Sequence, residues 1–360
     1  MPASLACPDC GRSYEADPDE PWRCACGHPL EFAERPLPAG PPDGFDVGSG
    51  LWAFRDFLPV EPRVTLGEGW TPLTTAPHWD ATFKLEYVFP SGSFKDRGAT
   101  TTLSRAAALG VERVVEDSSG NAGAAIAQYA ARAGIDADIY VPASVKDSKL
   151  RAIERSGATP IRVDGSRRAV TEACIEAVET GDAWYASHAW NPAFFAGTST
   201  VAFEIAAQRD WNVPDALVVP LGHGTLFLGA YRGFRALRSA GWTDAVPRLL
   251  GVQASGVAPI ADALHDSRET ATNDAADGIQ IASPVREAQL LDAIHATAGD
   301  AIAIDETATR TALDRLHRRG FYVEPTSAVA VAGLEEYRRR GVLKDTDDVV
   351  VPLTGSGLKQ

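Results

Sequence analysis

No uninterrupted apolar run in this 360-residue sequence approaches the ~20 residues that span a bilayer, which speaks against a membrane-spanning helix. The opening residues, Met1-Pro2-Ala3-Ser4-Leu5-Ala6-Cys7, lack the basic start and long apolar stretch of a secretion signal. Positive charge is in deficit: 48 acidic residues against 34 Lys and Arg leave a formal net charge of −14. A general nucleic-acid binder needs a basic footprint, and this composition argues against one. Lysine is scarcest, confined to positions 84, 95, 146, 149, 344 and 359. Such an acidic, lysine-poor chain suits a high-salt cytoplasm or a GC-rich genome, since net charge speaks to solubility and not to fold. With 45% hydrophobic and 23% charged residues, a sizeable packed core is expected. The composition predicts a soluble, cytoplasmic globular protein with no membrane or nucleic-acid partner.

Cysteine is equally unevenly spent. Of five, four fall at Cys7, Cys10, Cys24 and Cys26, and Cys174 sits alone in a helical pattern where packing explains it. The spacing is C-x2-C, thirteen residues, then C-x-C, with Gly11 and Gly27 after the pairs. Four thiols in a short intracellular segment predict a structural Zn2+ site and not disulfides. The second pair is one residue shorter than a usual knuckle, so His28 is an alternative ligand; a degenerate ribbon without metal is the other reading. The Pro/Gly-rich run Arg35-Pro-Leu-Pro-Ala-Gly-Pro-Pro42 cannot continue a helix or a sheet interior. These features predict a ribbon over 1–34, a linker over 35–50 and a main body over 51–360.

Within the body, short β-rich runs alternate with Ala-rich helical ones. Strands are expected at 111–115, 138–141 and 160–163, with helices at 122–132 and 148–156 between them. A second series has strands at 216–220, 249–252 and 348–351 and a helix at 226–238. Such β-α-β order implies parallel sheets, hence an α/β fold of two doubly wound domains, the smaller at about 100–200, plus the small Cys-rich ribbon. A ligand is expected in the cleft, at strand C-terminal ends.

Four glycine-rich segments lie at predicted element boundaries. Pro90-Ser-Gly-Ser-Phe-Lys95-Asp-Arg-Gly98 puts a rare lysine just before a helix expected from Ala99. There the macrodipole disfavours the protonated amine, as a nucleophilic Schiff-base lysine requires. Ser118-Ser119-Gly120-Asn121 opens a helix with hydroxyls and N–H groups suited to a carboxylate or phosphate. Gly222-His223-Gly224-Thr225-Leu226 follows a strand and can wrap a phosphate. Leu353-Thr354-Gly355-Ser356 ends the last strand with small hydroxyls. A lysine, a phosphate cradle, a carboxylate-binding helix start and a hydroxyl at a strand end together suit pyridoxal phosphate.

On these residues the sequence resembles the tryptophan-synthase-β-like, fold-type-II pyridoxal-phosphate enzymes, and within them the threonine synthases. Ser93-Phe94-Lys95-Asp96-Arg97-Gly98 matches the cofactor-lysine motif, and Gly67-Glu-Gly-Trp-Thr-Pro-Leu73 resembles the G-x-T-P-L segment. The resemblance implies that Lys95 carries the cofactor and moves protons, and that Asn121 bonds the ring's 3′ oxygen. Ser118, Ser119 and Gly120 would hold the substrate carboxylate, and Gly222, His223, Gly224, Thr225 and Leu226 the cofactor phosphate. Thr354 would meet the pyridine nitrogen, beside the turn Glu324-Pro-Thr-Ser-Ala328. It further implies a homodimer acting on a small amino-acid substrate.

The activity implied is a carbon–oxygen lyase: O-phosphohomoserine and water give threonine and phosphate by γ-elimination and β-addition. Three motifs depart from the family, one being the cofactor loop Gly222-His-Gly-Thr-Leu226 where G-N-x-G-N is usual. Asn191-Pro-Ala-Phe194 has Phe where arginine is common, and Gly197-Thr-Ser199 replaces G-Q-K. The alternative is a threonine-synthase-like lyase or β-replacement enzyme, for serine/threonine deamination or cysteate formation from phosphoserine. A non-catalytic pyridoxal-phosphate carrier is opposed by the intact Lys95, Asn121 and Thr354.

Overall fold

The computed structural model describes residues 2–42, 44–181, 183–265 and 271–359. The chain divides into two compact units, residues 1–69 with 95–198 and residues 70–94 with 199–360. The first unit begins with a ribbon in which β1 (Leu5–Ala6) pairs antiparallel with both β2 (Ser13–Tyr14) and β3 (Glu31–Phe32). Leu5, Leu30 and Phe32 are buried there beside Cys7 and Cys24. Two-residue strands and so few apolar side chains make a sheet too small to hold itself together without a further tie.

An antiparallel hairpin of β4 (Leu73–Ala76) and β5 (Ala81–Lys84) belongs to the second unit. The chain re-enters the first at α1 (Lys95–Leu109) and continues through β6 (Arg113–Glu116), α2 (Asn121–Ala133), β7 (Asp136–Pro142), α3 (Asp147–Arg155), β8 (Thr159–Val163), α4 (Arg167–Thr180), β9 (Trp184–Tyr185) and the start of α5 (Pro192–Ala207), whose residues from Ser199 on belong to the second unit. The four strands form one parallel sheet in the order β8-β7-β6-β9. Val114, Ile139 and Val141 of the sheet pack with Leu103, Ile126 and Tyr129 of α1 and α2 in one core. At the crossing of α1 and α5 the sequence supplies glycine twice. A Cβ on Gly98 would overlap the Phe194 ring, and one on Gly197 would overlap the Arg97 carbonyl. Thr101 closes the crossing with a 2.7 Å hydrogen bond to the Ala193 carbonyl.

The second unit adds β10 (Ala216–Pro220), α6 (Thr225–Ser239), β11 (Arg248–Ala254), α7 (Pro259–His265), α8 (Glu287–Ala296), β12 (Asp300–Ile304), α9 (Glu306–Arg318), α10 (Pro325–Arg339) and β13 (Val349–Pro352). Its sheet runs β12-β11-β10-β13-β5-β4, parallel except for the antiparallel edge strand β4. The continuous apolar strands Ala216–Pro220 and Val349–Pro352 are wholly buried, as parallel strands covered on both faces must be. The mixed α/β architecture agrees with the expectation from sequence, and no helix among the described residues is long and apolar enough to cross a membrane. Two details differ. The hairpin β4–β5 had no sequence signal, because β5 ends in a lysine, and α1 starts at Lys95 and not at Ala99.

Candidate active site

The candidate residues fall into two sets, one on each unit. In the first, Lys95 is the opening residue of α1, and its Nζ lies 5.6 Å from the centre of the Phe194 ring. The neighbouring Asp96 and Arg97 are fully buried. Tyr129 of α2 donates to Glu68 at 3.0 Å and reaches Asp96 at 3.4 Å, so one hydroxyl ties the Gly67–Leu73 segment to the lysine's helix. Burial, and then Asp96 and Glu68, raise the Tyr129 phenol far above its ordinary value, so it remains a donor. The Ser118–Asn121 loop joins β6 to α2. Ser118 accepts from the Gly120 amide at 3.3 Å, while the N-cap Gly120 offers no side chain to the first-turn N–H groups. A helix start of this kind is suited to an anion. The turn is tight: a Cβ on Gly123 would overlap the Ser118 carbonyl.

Two residues that the sequence reading had not singled out stand beside this loop. Glu116, the last residue of β6, is fully buried, and its Oε1 lies 2.6 Å from Nδ1 of His188. The His188 amide donates to the other carboxyl oxygen at 3.2 Å. Burial, followed by the charge of Asp117, lifts the Glu116 carboxyl well above the usual range, with Lys95 opposing. The His188 ring meets Phe194 edge-on at 6.0 Å. Glu116 and His188 are 72 positions apart, which hides the pair from any local pattern.

In the second unit, the 221–225 turn leads from β10 into α6. Gly224 takes φ +76° as the N-cap, and a Cβ there would overlap Leu290, so the position demands glycine on both counts. Like α2, α6 has no capping side chain, and its first-turn N–H groups are suited to a phosphate. Thr354 follows β13 and is 3% exposed; its hydroxyl lies 3.0 Å from that of Ser327, in the first turn of α10. Ser327 also accepts from the Gly355 amide at 2.8 Å, fixing the 354–355 turn. The Phe94 amide donates to the Thr354 carbonyl at 3.0 Å, one residue before Lys95. Ser93, bridged to Gly355, has a buried hydroxyl without a hydrogen-bond partner among the described residues.

In the second unit, a buried hydroxyl with no partner among the described residues and an uncapped helix start suit a polar, phosphate-bearing ligand; the first unit has an uncapped helix start of its own. The sequence profile described as pyridoxal-phosphate dependent enzyme matches residues 64–355. The chain belongs to that family. Among curated relatives, the threonine synthase of Methanocaldococcus jannaschii is 31% identical over 98% of this chain and 92% of its own. That of Methanosarcina acetivorans is 33% identical over 86% of this chain and 80% of its own. Among solved structures, a threonine deaminase isoform from Solanum lycopersicum superposes with a TM-score of 0.69 at 21% identity, covering 91% of this chain and 92% of the other. Maize serine racemase does so with a TM-score of 0.69 at 24% identity, over 80% and 88%. These two likenesses concern the fold. The protein is therefore a fold-type-II pyridoxal-phosphate-dependent enzyme of the lyase kind.

The thiols of Cys7, Cys10, Cys24 and Cys26 converge, every Sγ within 4.8 Å of the others. Cys7 to Cys26 is 3.6 Å and Cys10 to Cys24 3.5 Å. Tetrahedral zinc with Zn–S bonds of about 2.3 Å sets its sulfurs about 3.8 Å apart, so the donor set fits. His28 and Asp9 group with Cys26 in a second, exposed trio.

Proposed function

We propose that this enzyme is a threonine synthase, converting O-phosphohomoserine and water to threonine and phosphate. One observation carries the reading: similarity to the Methanocaldococcus jannaschii threonine synthase extends over 98% of the chain, ribbon included. Bound pyridoxal phosphate supplies the electron sink that makes protons beside the amino carbon acidic. The amine of Lys95 would hold the cofactor. Once displaced by the substrate's amino group, it would remove the α-proton, carry a proton at the β-carbon and return one to the α-carbon. Ser118, Ser119 and Gly120 would orient the substrate carboxylate, and Asn121 the ring oxygen. Gly222, His223, Gly224, Thr225 and Leu226 would anchor the phosphate with backbone N–H groups. Thr354 would offer the ring nitrogen a neutral hydroxyl, which suits elimination and replacement over transamination. The same reading makes the protein a cytoplasmic homodimer with a structural zinc ion on Cys7, Cys10, Cys24 and Cys26.

Phe194 favours a second reading. It is fully buried and apolar where the family commonly has an arginine, which favours a lyase or β-replacement enzyme acting on another amino acid, such as serine, threonine or phosphoserine. A coupled assay separates the two: purified protein, pyridoxal phosphate and O-phosphohomoserine, in low and high KCl, with Lys95→Ala as control. Equimolar threonine and phosphate, lost in the control, support the synthase. A visible cofactor band with neither product sinks it, and serine, threonine and phosphoserine are then assayed for keto acid.

A further inference from the structure

Arg105 lies on α1, ten residues beyond Lys95, or about 15 Å along the helix. Its side chain is 1% exposed, yet its partners come from the ribbon. Nε donates to Glu20 Oε1 at 2.8 Å, Nη2 to Glu20 Oε2 at 2.5 Å and Nη1 to the Ala3 carbonyl at 3.0 Å. The guanidinium also lies 4.9 Å from the centre of the Phe32 ring. Ala3 and Phe32 flank β1 and end β3, which lead into Cys7 and away from the second cysteine pair. A second anchor is Trp22, edge-on to Trp190 at 4.7 Å and to Tyr185 at 5.6 Å. The Tyr185 hydroxyl donates to Asp117 at 3.0 Å, immediately before the Ser118–Asn121 loop. Between the ribbon and the residues that follow α4 a cavity of about 280 Å³ remains, lined by Asp19, Trp22, Glu179, Trp184 and Asn191. Arg105 and Trp22 are thus two anchors between the ribbon and the rest of the unit.

We propose that the ribbon is a metal-dependent clasp for the active site, with Glu20 positioning Lys95 through Arg105 and Trp22 positioning the Ser118–Asn121 loop through Tyr185. A ribbon this small orders around its metal, since binding free energy becomes folding free energy in such modules. Loss of the metal would release Glu20 and leave a buried guanidinium without its counter-charge, which the helix can relieve only by moving. The metal-dependent half rests on the zinc reading above; the Glu20–Arg105 half does not.

The test uses the full-length holoenzyme and reads three quantities: metal content by atomic absorption, pyridoxal phosphate affinity from the visible band, and thermal unfolding. Wild type should carry one zinc per chain. Stripping it with EDTA, and Glu20→Gln with zinc still bound, should each raise the cofactor's dissociation constant about tenfold or more, with Glu20→Asp recovering most of the loss. The paired variant Glu20→Leu/Arg105→Met removes the buried charge, keeps the unit folded and should leave cofactor affinity with only the zinc sensitivity that Trp22 carries, which adding Trp22→Ala should abolish. Wild-type affinity in folded Glu20→Gln overturns the positioning role, as does zinc sensitivity undiminished in the paired variant. Absence of bound zinc overturns the zinc reading and the metal dependence together, and leaves the Glu20 arms to decide the rest.

Discussion

The ring of Phe194 stands between two functional groups, 5.6 Å from Nζ of Lys95 and 6.0 Å from the His188 ring, and fills the space that a side chain at Gly98 would take. It is a packing residue and, on the proposed function, a wall of the active site as well. Phe194→Ala should cost about 3–5 kcal/mol, read from the urea midpoint. A loss below about 1 kcal/mol, the range of a tolerated swap, would mean that the ring is not part of the core.

Gly197 takes the place of the family's G-Q-K glycine and sits against the Arg97 carbonyl. Gly197→Ala forces α1 and α5 apart and should destabilise by about 1–3 kcal/mol. The displacement moves the first turn of α1, so the visible cofactor band should weaken in parallel. Unchanged stability would show that the two helices can separate freely.

Glu116 makes stability depend on pH. Its folded-state pKa lies above the unfolded value of about 4.3, because burial and Asp117 oppose the charge. The native protein holds a proton that the unfolded chain releases, so this stabilisation is full below the unfolded pKa and is lost as pH rises through the raised one. Glu116→Gln stays neutral and should lose less stability than wild type as pH rises from about 4.3 upward. Parallel unfolding midpoints across that range would remove Glu116 as the cause.

Lys84 is paired with Glu204 at 2.8 Å, both side chains fully buried, and also donates to the Thr71 carbonyl at 2.6 Å and to Gln208 at 2.8 Å. Removing one partner strands the other, so Glu204→Leu should cost about 3–5 kcal/mol, whereas Lys84→Met/Glu204→Leu should recover much of it. Equal losses in the single and paired variants would refute the pairing.

Much of the fold was legible because its signals are local. The runs around Val114, Ile139 and Val218 alternate with Ala-rich helices, and that alternation sufficed for a parallel α/β layout. Lys95, proposed as the cofactor lysine, stands out in the sequence for the same reason, lying in six contiguous residues. What escaped depends on distance. Glu116 and His188 look unrelated until β6 and the turn after β9 bring them together. β5 carries Lys84 into a buried sheet, where a sequence pattern expects an apolar residue. Glu68, between two glycines in the sequence, accepts hydrogen bonds from Trp52, Thr65, Leu66 and Tyr129. No periodicity announces a carboxylate that gathers donors from four directions.

The burial of Lys84 bears on how the protein can be labelled. With six lysines in 360 residues and one of them sealed, acylating reagents find few targets on the native molecule. Borohydride trapping followed by peptide mapping would therefore meet little background at Lys95. Conversely, a reagent that modifies Lys84 reports that the hairpin has opened, which makes this lysine a built-in gauge of unfolding in the second unit.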